Sequence, residues 1–86
     1  MAKRYLVLAM RQPDFPADVV QPHRDFLDAL RAAGQLELTG GFSDGSGGAY
    51  VLINVEGLAQ AQQIVAQDPL AVRGASTLTV YEWNAQ

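Results

Sequence analysis

The chain has a single histidine, His23, and the carboxylate best suited to act with it is Asp68, far along the sequence. An imidazole exchanges protons near neutral pH, and a carboxylate on one ring nitrogen fixes the tautomer and makes the other nitrogen a better proton acceptor. Such a pair suits general acid–base chemistry. Each residue also has a simpler interpretation: His23 bonded to a main-chain carbonyl, and Asp68 as part of a helix-stopping Asp-Pro loop. The choice depends on whether the fold brings them together.

His23 lies on the apolar stripe of a predicted helix. At about 100° per residue it falls in one sector with Phe26, Leu27 and Leu30. The other side of this helix is predicted to be polar, with Arg24, Asp25, Asp28 and Arg31. Pro22 suits the first helical position, so we expect His23 in the opening turn, at the rim of the core.

Asp68 is predicted to lie where a second helix ends, just before Pro69. In the last turn a carboxylate faces the negative end of the helix dipole, which costs about 0.3 to 1 kcal/mol where exposed. A residue before proline is also pushed out of the helical region, so its side chain can be aimed independently of the helix. The position of Asp68 therefore indicates a role other than stabilising the helix.

The apolar periodicity predicts six elements in the order β-α-β-β-α-β. The strands are predicted at residues 4–11, 35–42, 49–55 and 76–83, the helices at residues 17–33 and 57–67, and a turn at residues 43–48. Gly34 and Pro69 mark the two helix ends. With no linker and no repeat, this order predicts one α+β domain, residues 1–86, with the ferredoxin-like fold: a four-stranded antiparallel sheet covered by two helices.

In that topology the start of the first helix, the end of the second helix and the turn between strands two and three share one end of the sheet. His23 and Asp68 are therefore expected to be neighbours and to form a catalytic pair. The segment GGFSDGSGG, residues 40–48, is expected to border the same cavity. Within it we expect the substrate contacts Gly41, Phe42 and Ser46.

Two other chemistries for the glycine-rich segment are weaker. A phosphate-binding loop would need a lysine and a following helix, and this segment leads into a strand. A serine nucleophile at Ser43 or Ser46 would need a strained strand-to-helix elbow, which the sequence lacks. Most of these glycines are explained by a hairpin whose Asp44-Gly45 and Gly47-Gly48 steps supply positive φ.

Composition excludes several classes of protein. Six basic residues against nine acidic ones give a net charge of -3 and too few cations for a nucleic-acid surface. There is no cysteine, and one histidine among scattered acids gives no metal-ligand spacing. No segment is apolar for long enough to predict a membrane helix or a signal peptide. We expect a cytoplasmic protein that acts on a small molecule, without a metal or another cofactor.

The predicted sheet has a second apolar face. In strand one Tyr5 and Val7 alternate with Leu6 and Leu8, so helices on one face leave the other uncovered. A domain of 86 residues buries only about 60 to 65% of the surface of its unfolded chain. Because two-fold dimers are the commonest oligomers, we expect a homodimer through the open sheet face.

These features resemble the YCII-related (YciI-like) domain proteins. The resemblance rests on the first strand, Pro-His at the start of the first helix, AAGQLELTGGFSDGSGG through the hairpin and AQDPLAVRGA after the second helix. It covers nearly the whole chain and implies a ferredoxin-like fold, a dimeric α/β barrel and a site centred on His23 and Asp68. The chain departs from the family at Arg24, where an apolar residue is common, and at Leu70, where an aromatic residue is frequent. Both positions are expected to border the pocket.

The resemblance leaves the reaction open, because one related enzyme type removes chloride from a chlorinated hydroxyquinone and most members have no assigned reaction. We expect a cofactor-independent enzyme in which His23, oriented by Asp68, moves a proton on a small aromatic or enolisable substrate, as in an elimination. The alternative is a non-catalytic dimeric protein whose pocket holds a small metabolite. A cofactor-free oxygenase is a third hypothesis, and nothing in the sequence requires it.

Overall fold

A computed structural model describes residues 3–86 of the chain. Within them the elements, in chain order, are β1 (Arg4–Arg11), a 3-10 turn (Ala17–Val19), α1 (Val20–Ala32), β2 (Leu36–Gly41), β3 (Gly47–Leu52), α2 (Leu58–Val65), α3 (Pro69–Val72) and β4 (Ser76–Trp83). None of these helices is long and apolar enough to cross a bilayer.

The four strands form one sheet in the order β2-β3-β1-β4, and every neighbouring pair is antiparallel. The predicted α+β arrangement, with its β-α-β-β-α-β order, is confirmed. The core lies between one face of this sheet and the helices, and its buried side chains include Val7 from β1, Leu52 from β3 and Leu30 from α1. In the register of β1 and β3, Val7 lies opposite Tyr50, so Tyr50 also faces the helices.

Strand β3 is shifted toward the glycines relative to its predicted range. It ends at Leu52 because Asn54 adopts a positive φ of 58°, which turns the chain away from the sheet. It begins at Gly47, which therefore lies in the strand and not in the turn. A side chain at Gly47 would collide with the main-chain oxygen of Ala9 on β1. This glycine permits a close approach of two strands.

The surroundings of Asp68 also differ from prediction. Helix α2 ends at Val65, and Asp68 is the N-cap of α3, a short helix that the apolar periodicity does not predict. Its Oδ1 atom accepts a hydrogen bond from the backbone N–H of Leu70 at 2.9 Å. The expected unfavourable position in the last turn of a helix is therefore wrong, because a carboxylate at an N-cap satisfies a free N–H and stabilises the helix.

Helix α1 begins at Val20, three residues after the start of the predicted range 17–33 and two residues before Pro22, and a 3-10 turn precedes it. Pro22 is the third residue of the helix, not the first, and still lies in the first turn, where backbone N–H groups have no partner in the helix. His23 follows it at the end of that turn. The helix ends as predicted near Gly34, whose φ of 75° stops further helical bonding.

The sheet face opposite the helices keeps large apolar side chains at the surface. Leu38, Tyr81 and Trp83 are 63%, 49% and 44% exposed. They share this face with Leu6, because Leu6 lies opposite Tyr81 in the register of β1 and β4. An apolar face of this extent is typical of a surface that another molecule covers.

Candidate active site

Asp68 is the centre of a hydrogen-bonded cluster at one end of the sheet. Its side chain is 0% exposed and accepts three hydrogen bonds. The Tyr50 hydroxyl donates to Oδ2 at 2.8 Å, the Leu70 N–H donates to Oδ1 at 2.9 Å, and His23 Nδ1 lies 2.9 Å from Oδ1. A buried carboxylate needs such partners to offset the loss of water, and here both oxygens are satisfied.

The cluster determines the tautomer of His23. An ionised carboxylate only accepts hydrogen bonds, so Nδ1 must carry the proton that it shares with Asp68. In the neutral ring Nε2 is then unprotonated and has a free lone pair. Within residues 3–86 no side chain or main-chain group bonds Nε2, and the His23 side chain remains 19% exposed. His23 can therefore accept a proton from a molecule beside it.

Tyr50 holds the other side of the carboxylate. Burial, followed by the negative charge of Asp68 and the hydrogen bond to it, raises the pKa of Tyr50 far above the ordinary 10.0. The hydroxyl stays protonated at any pH near neutrality and acts only as a donor to Asp68. Its ring also lies 6.0 Å from the His23 ring, centroid to centroid, at an interplanar angle of 49°.

A cavity of about 320 Å³ opens beside His23, between α1 and the helix-facing side of the sheet. This volume is at the lower end of the range for small-molecule sites. Its wall is mostly apolar, with Ala9, Val20, Leu27 and Leu70 among the lining residues. The polar side chains in the wall are Arg11, His23, Arg24, Thr39, Tyr50 and Ser76.

The predicted substrate contacts divide between the cavity and the turn. Gly41 lines the cavity. Phe42 and Ser46 do not belong to its wall: Phe42 is largely exposed, and the Ser46 N–H donates to Asp44 Oδ1 at 2.9 Å within the turn. Contact of Phe42 or Ser46 with a ligand stays a prediction, and the cavity itself gives it no support. Arg24 and Leu70, the two departures from the family pattern, do border the cavity.

Tyr50, Arg11 and Ser76 belong to the site although the sequence pattern did not assign them to it. The sequence favours a sheet or interface role for Tyr50, with a place in the pocket wall as the lesser alternative. Because both faces of the third strand are apolar, the alternation alone does not indicate which face Tyr50 occupies. Arg11 and Ser76 are the last residue of β1 and the first of β4, and they lie opposite each other in the sheet. The topology that brings His23 to Asp68 also brings this strand end beside them, so the signal was present in the element order. Within the described residues no cluster of three or more His, Cys, Asp or Glu side chains has the arrangement of a metal site.

The fold and the site together define a small α+β domain with a ligand-sized cavity beside a partly exposed imidazole that is paired with a buried carboxylate. The family model of the YCII-related domain matches residues 3–84, and the chain belongs to this family. The chain is 46% identical over 80 residues to the uncharacterized protein YjpA of Bacillus subtilis, a match that covers 93% of each chain.

The fold is also similar to a solved structure, that of 5-chloro-2-hydroxyhydroquinone dehydrochlorinase (TftG) from Burkholderia phenoliruptrix in complex with 2,5-dihydroxybenzoquinone. The TM-score is 0.77, and the match covers 96% of this chain and 95% of the other. With 17% sequence identity this likeness shows a shared fold.

Proposed function

We propose that this protein is a small cofactor-independent enzyme in which His23 is the general base and Asp68 its positioning residue. The observation that carries the proposal is the hydrogen bond of 2.9 Å between His23 Nδ1 and Asp68 Oδ1, which leaves Nε2 free next to the cavity. A base must lie within hydrogen-bonding reach of the proton it removes, and a ligand in the cavity meets this condition.

The proposed reaction is proton removal from a small aromatic or enolisable substrate, of the kind that starts an elimination. His23 Nε2 takes a proton from carbon, and the electron pair of that C–H bond forms a new C=C bond as a leaving group departs with its own pair. The imidazolium that forms is stabilised by the adjacent Asp68 carboxylate. The dehydrochlorinase with the same fold supports this class of reaction, and its quinone complex supports a flat ring as the substrate body.

The size and wall of the cavity agree with such a substrate. A volume of about 320 Å³ accommodates a single substituted ring. Leu27 and Leu70 offer apolar contacts to the body of the substrate ring. His23, paired with Asp68, is the polar group that would contact the reacting edge of that ring.

Isotope exchange tests the proposal directly, because it detects proton removal whether or not a leaving group then departs. The protein is incubated in D₂O with a panel of small hydroxyaromatic and enolisable compounds that includes 5-chloro-2-hydroxyhydroquinone. We expect NMR to detect faster exchange of a carbon-bound proton, or release of chloride, for at least one compound. Asp25→Asn should keep the full rate, because it changes an exposed carboxylate on α1 whose side-chain partner among residues 3–86 is Gln21. Saturable binding of panel compounds with no exchange above the buffer rate would favour the non-catalytic binding protein instead.

We also propose that a second copy of the chain covers the open sheet face. The exposed Leu38, Tyr81 and Trp83 support this, and Leu8 lies on the same face near the middle of β1. Leu8→Glu introduces a charge that must be desolvated in the interface, so it should shift the protein from dimer to monomer in sedimentation equilibrium. A wild-type mass of 9.3 kDa, that of one chain, would contradict the proposal.

A further inference from the structure

The charges around the cavity differ from those of the whole chain. The protein has nine acidic and six basic residues, yet among residues 3–86 two arginines, Arg11 and Arg24, line the cavity and no acidic residue does. The carboxylate of Asp68 is bonded to His23, and both of its oxygens are engaged. A negatively charged molecule therefore meets cations at the entrance of this cavity although the protein as a whole would repel it.

Arg11 and Arg24 are also the two arginines that no carboxylate pairs with in the part of the chain that the structure describes. The other four basic residues form ion pairs: Lys3 with Glu82, Arg4 with Glu37, Arg31 with Asp28 and Arg73 with Asp18. Within residues 3–86 no carboxylate pairs with Arg11 or Arg24. The guanidinium of Arg11 instead lies over the Phe15 ring, 4.2 Å from its centroid, which fixes its position and leaves its N–H groups free.

Ser76 supplies an independent indication of a polar ligand. Its residue is only 7% exposed, and its hydroxyl is the buried side-chain polar atom that lacks a hydrogen-bond partner in the described part of the chain. It lies opposite Arg11 in the sheet and lines the same cavity. An unpartnered buried hydroxyl costs free energy, and a hydrogen bond to a ligand oxygen in the cavity would offset that cost.

From these groups we infer that the cavity binds a small planar organic anion, a carboxylate or its enolate equivalent, whose charge is met by Arg11 and Arg24 and whose oxygen accepts from Ser76. Guanidinium groups match the paired oxygens of a planar carboxylate, and the apolar wall accepts the carbon body of the ligand. The inference rests on the proposed function only in that the anion would present its reacting carbon to His23.

The matched ligands salicylate and salicylamide test the inference, because they share size and shape and differ in charge. We expect saturable salicylate binding in a calorimetric or NMR titration, weaker at high salt, and salicylamide affinity lower by about tenfold or more. Arg11→Gln and Arg24→Gln should each weaken salicylate by about tenfold and leave salicylamide unchanged. Ser76→Ala should weaken salicylate with no loss of thermal stability, because the hydroxyl has no partner in the free protein.

Arg31→Gln is the control, since it removes an exposed arginine of α1 that is already paired with Asp28. It should bind salicylate like the wild type. Absent salicylate binding, or equal affinity for the two ligands, overturns the inference, as does unchanged salicylate affinity in Arg11→Gln and Arg24→Gln. These outcomes are separate from those of the exchange assay. Salicylate binding that depends on the arginines, without exchange of any panel compound, would retain the inference and reject the proposed catalysis.

Discussion

Replacing His23 by alanine should lower the rate of proton exchange on a responsive substrate by about 10²- to 10⁴-fold, because this is the usual contribution of a general base and we propose that role for His23. We expect the fold to survive, because His23 is partly exposed at the start of α1 and alanine is the best helix former. Asp68 keeps its bonds from Tyr50 and the Leu70 N–H, and water in the open cavity can occupy the vacated position. Parallel rate measurements and thermal melts on the variant and the wild type check both statements.

His23→Gln separates proton transfer from positioning. The glutamine amide N–H₂ can still donate to Asp68, but the side chain cannot take up a proton at neutral pH. If His23 is the base, His23→Gln should be as slow as His23→Ala. A glutamine variant that retains most of the wild-type rate would mean that the imidazole only holds Asp68 in place, and the proposed acid–base role would be wrong.

The fold was predictable where a strand begins and ends with its own run of apolar residues. Strand β1, residues 4–11, and strand β4, residues 76–83, have the bounds that apolar periodicity predicted. Both ends of β3 differ from the prediction, and each is determined by a residue outside the apolar pattern. Asn54 ends β3 through its positive φ, and Gly47 joins the strand because two backbones approach closely there. Periodicity in one chain segment carries no information on either effect.

The pairing of the two site residues was predicted from the topology of the fold and not from a local sequence motif. His23 and Asp68 are far apart in sequence and come within 2.9 Å because antiparallel connections return both helix termini to one end of the sheet. The local geometry at Asp68 was missed since Asp-Pro is equally typical of a loop and of the start of a new helix. The structure resolves this ambiguity: Pro69 is the first residue of α3 and Asp68 is its N-cap.

Arg24 illustrates a limit of the helical wheel. Its angle relative to His23 predicts the solvated side of α1, and its side chain is indeed exposed. It nevertheless lines the cavity, because the cavity opens to solvent beside the first turns of the helix. A residue one position after a site residue can therefore be both exposed and part of the binding surface. A wheel that separates buried from exposed positions cannot identify such a residue.

The second large effect is expected for Tyr50→Phe, which should lower the free energy of unfolding at pH 7 by about 1.5 to 3 kcal/mol, the range for a hydrogen bond to a charged group. Tyr50 is 1% exposed, and without its hydroxyl the Asp68 Oδ2 atom remains buried with no donor from the described residues. Tyr5→Phe is the matched control. Tyr5, on strand β1, faces the helices as Tyr50 does and is nearly as buried as Tyr50. Its hydroxyl, however, bonds no group in residues 3–86.

The same variant should change the response to alkaline pH, because the pKa of Tyr50 in the folded protein lies well above the ordinary 10.0 of the unfolded chain. A raised pKa stabilises the fold fully below pH 10, and this stabilisation is lost as the pH rises further, by up to about 1.4 kcal/mol for each pH unit. Wild type and Tyr5→Phe should both show the loss, and Tyr50→Phe should lack it. The stability gap between Tyr50→Phe and the wild type should therefore narrow above pH 10 in denaturant titrations. A gap that stays constant up to alkaline unfolding would mean that Tyr50 ionises in the folded protein as readily as in the unfolded chain, and the buried Tyr50–Asp68 bond would then not be the stabilising contact described here.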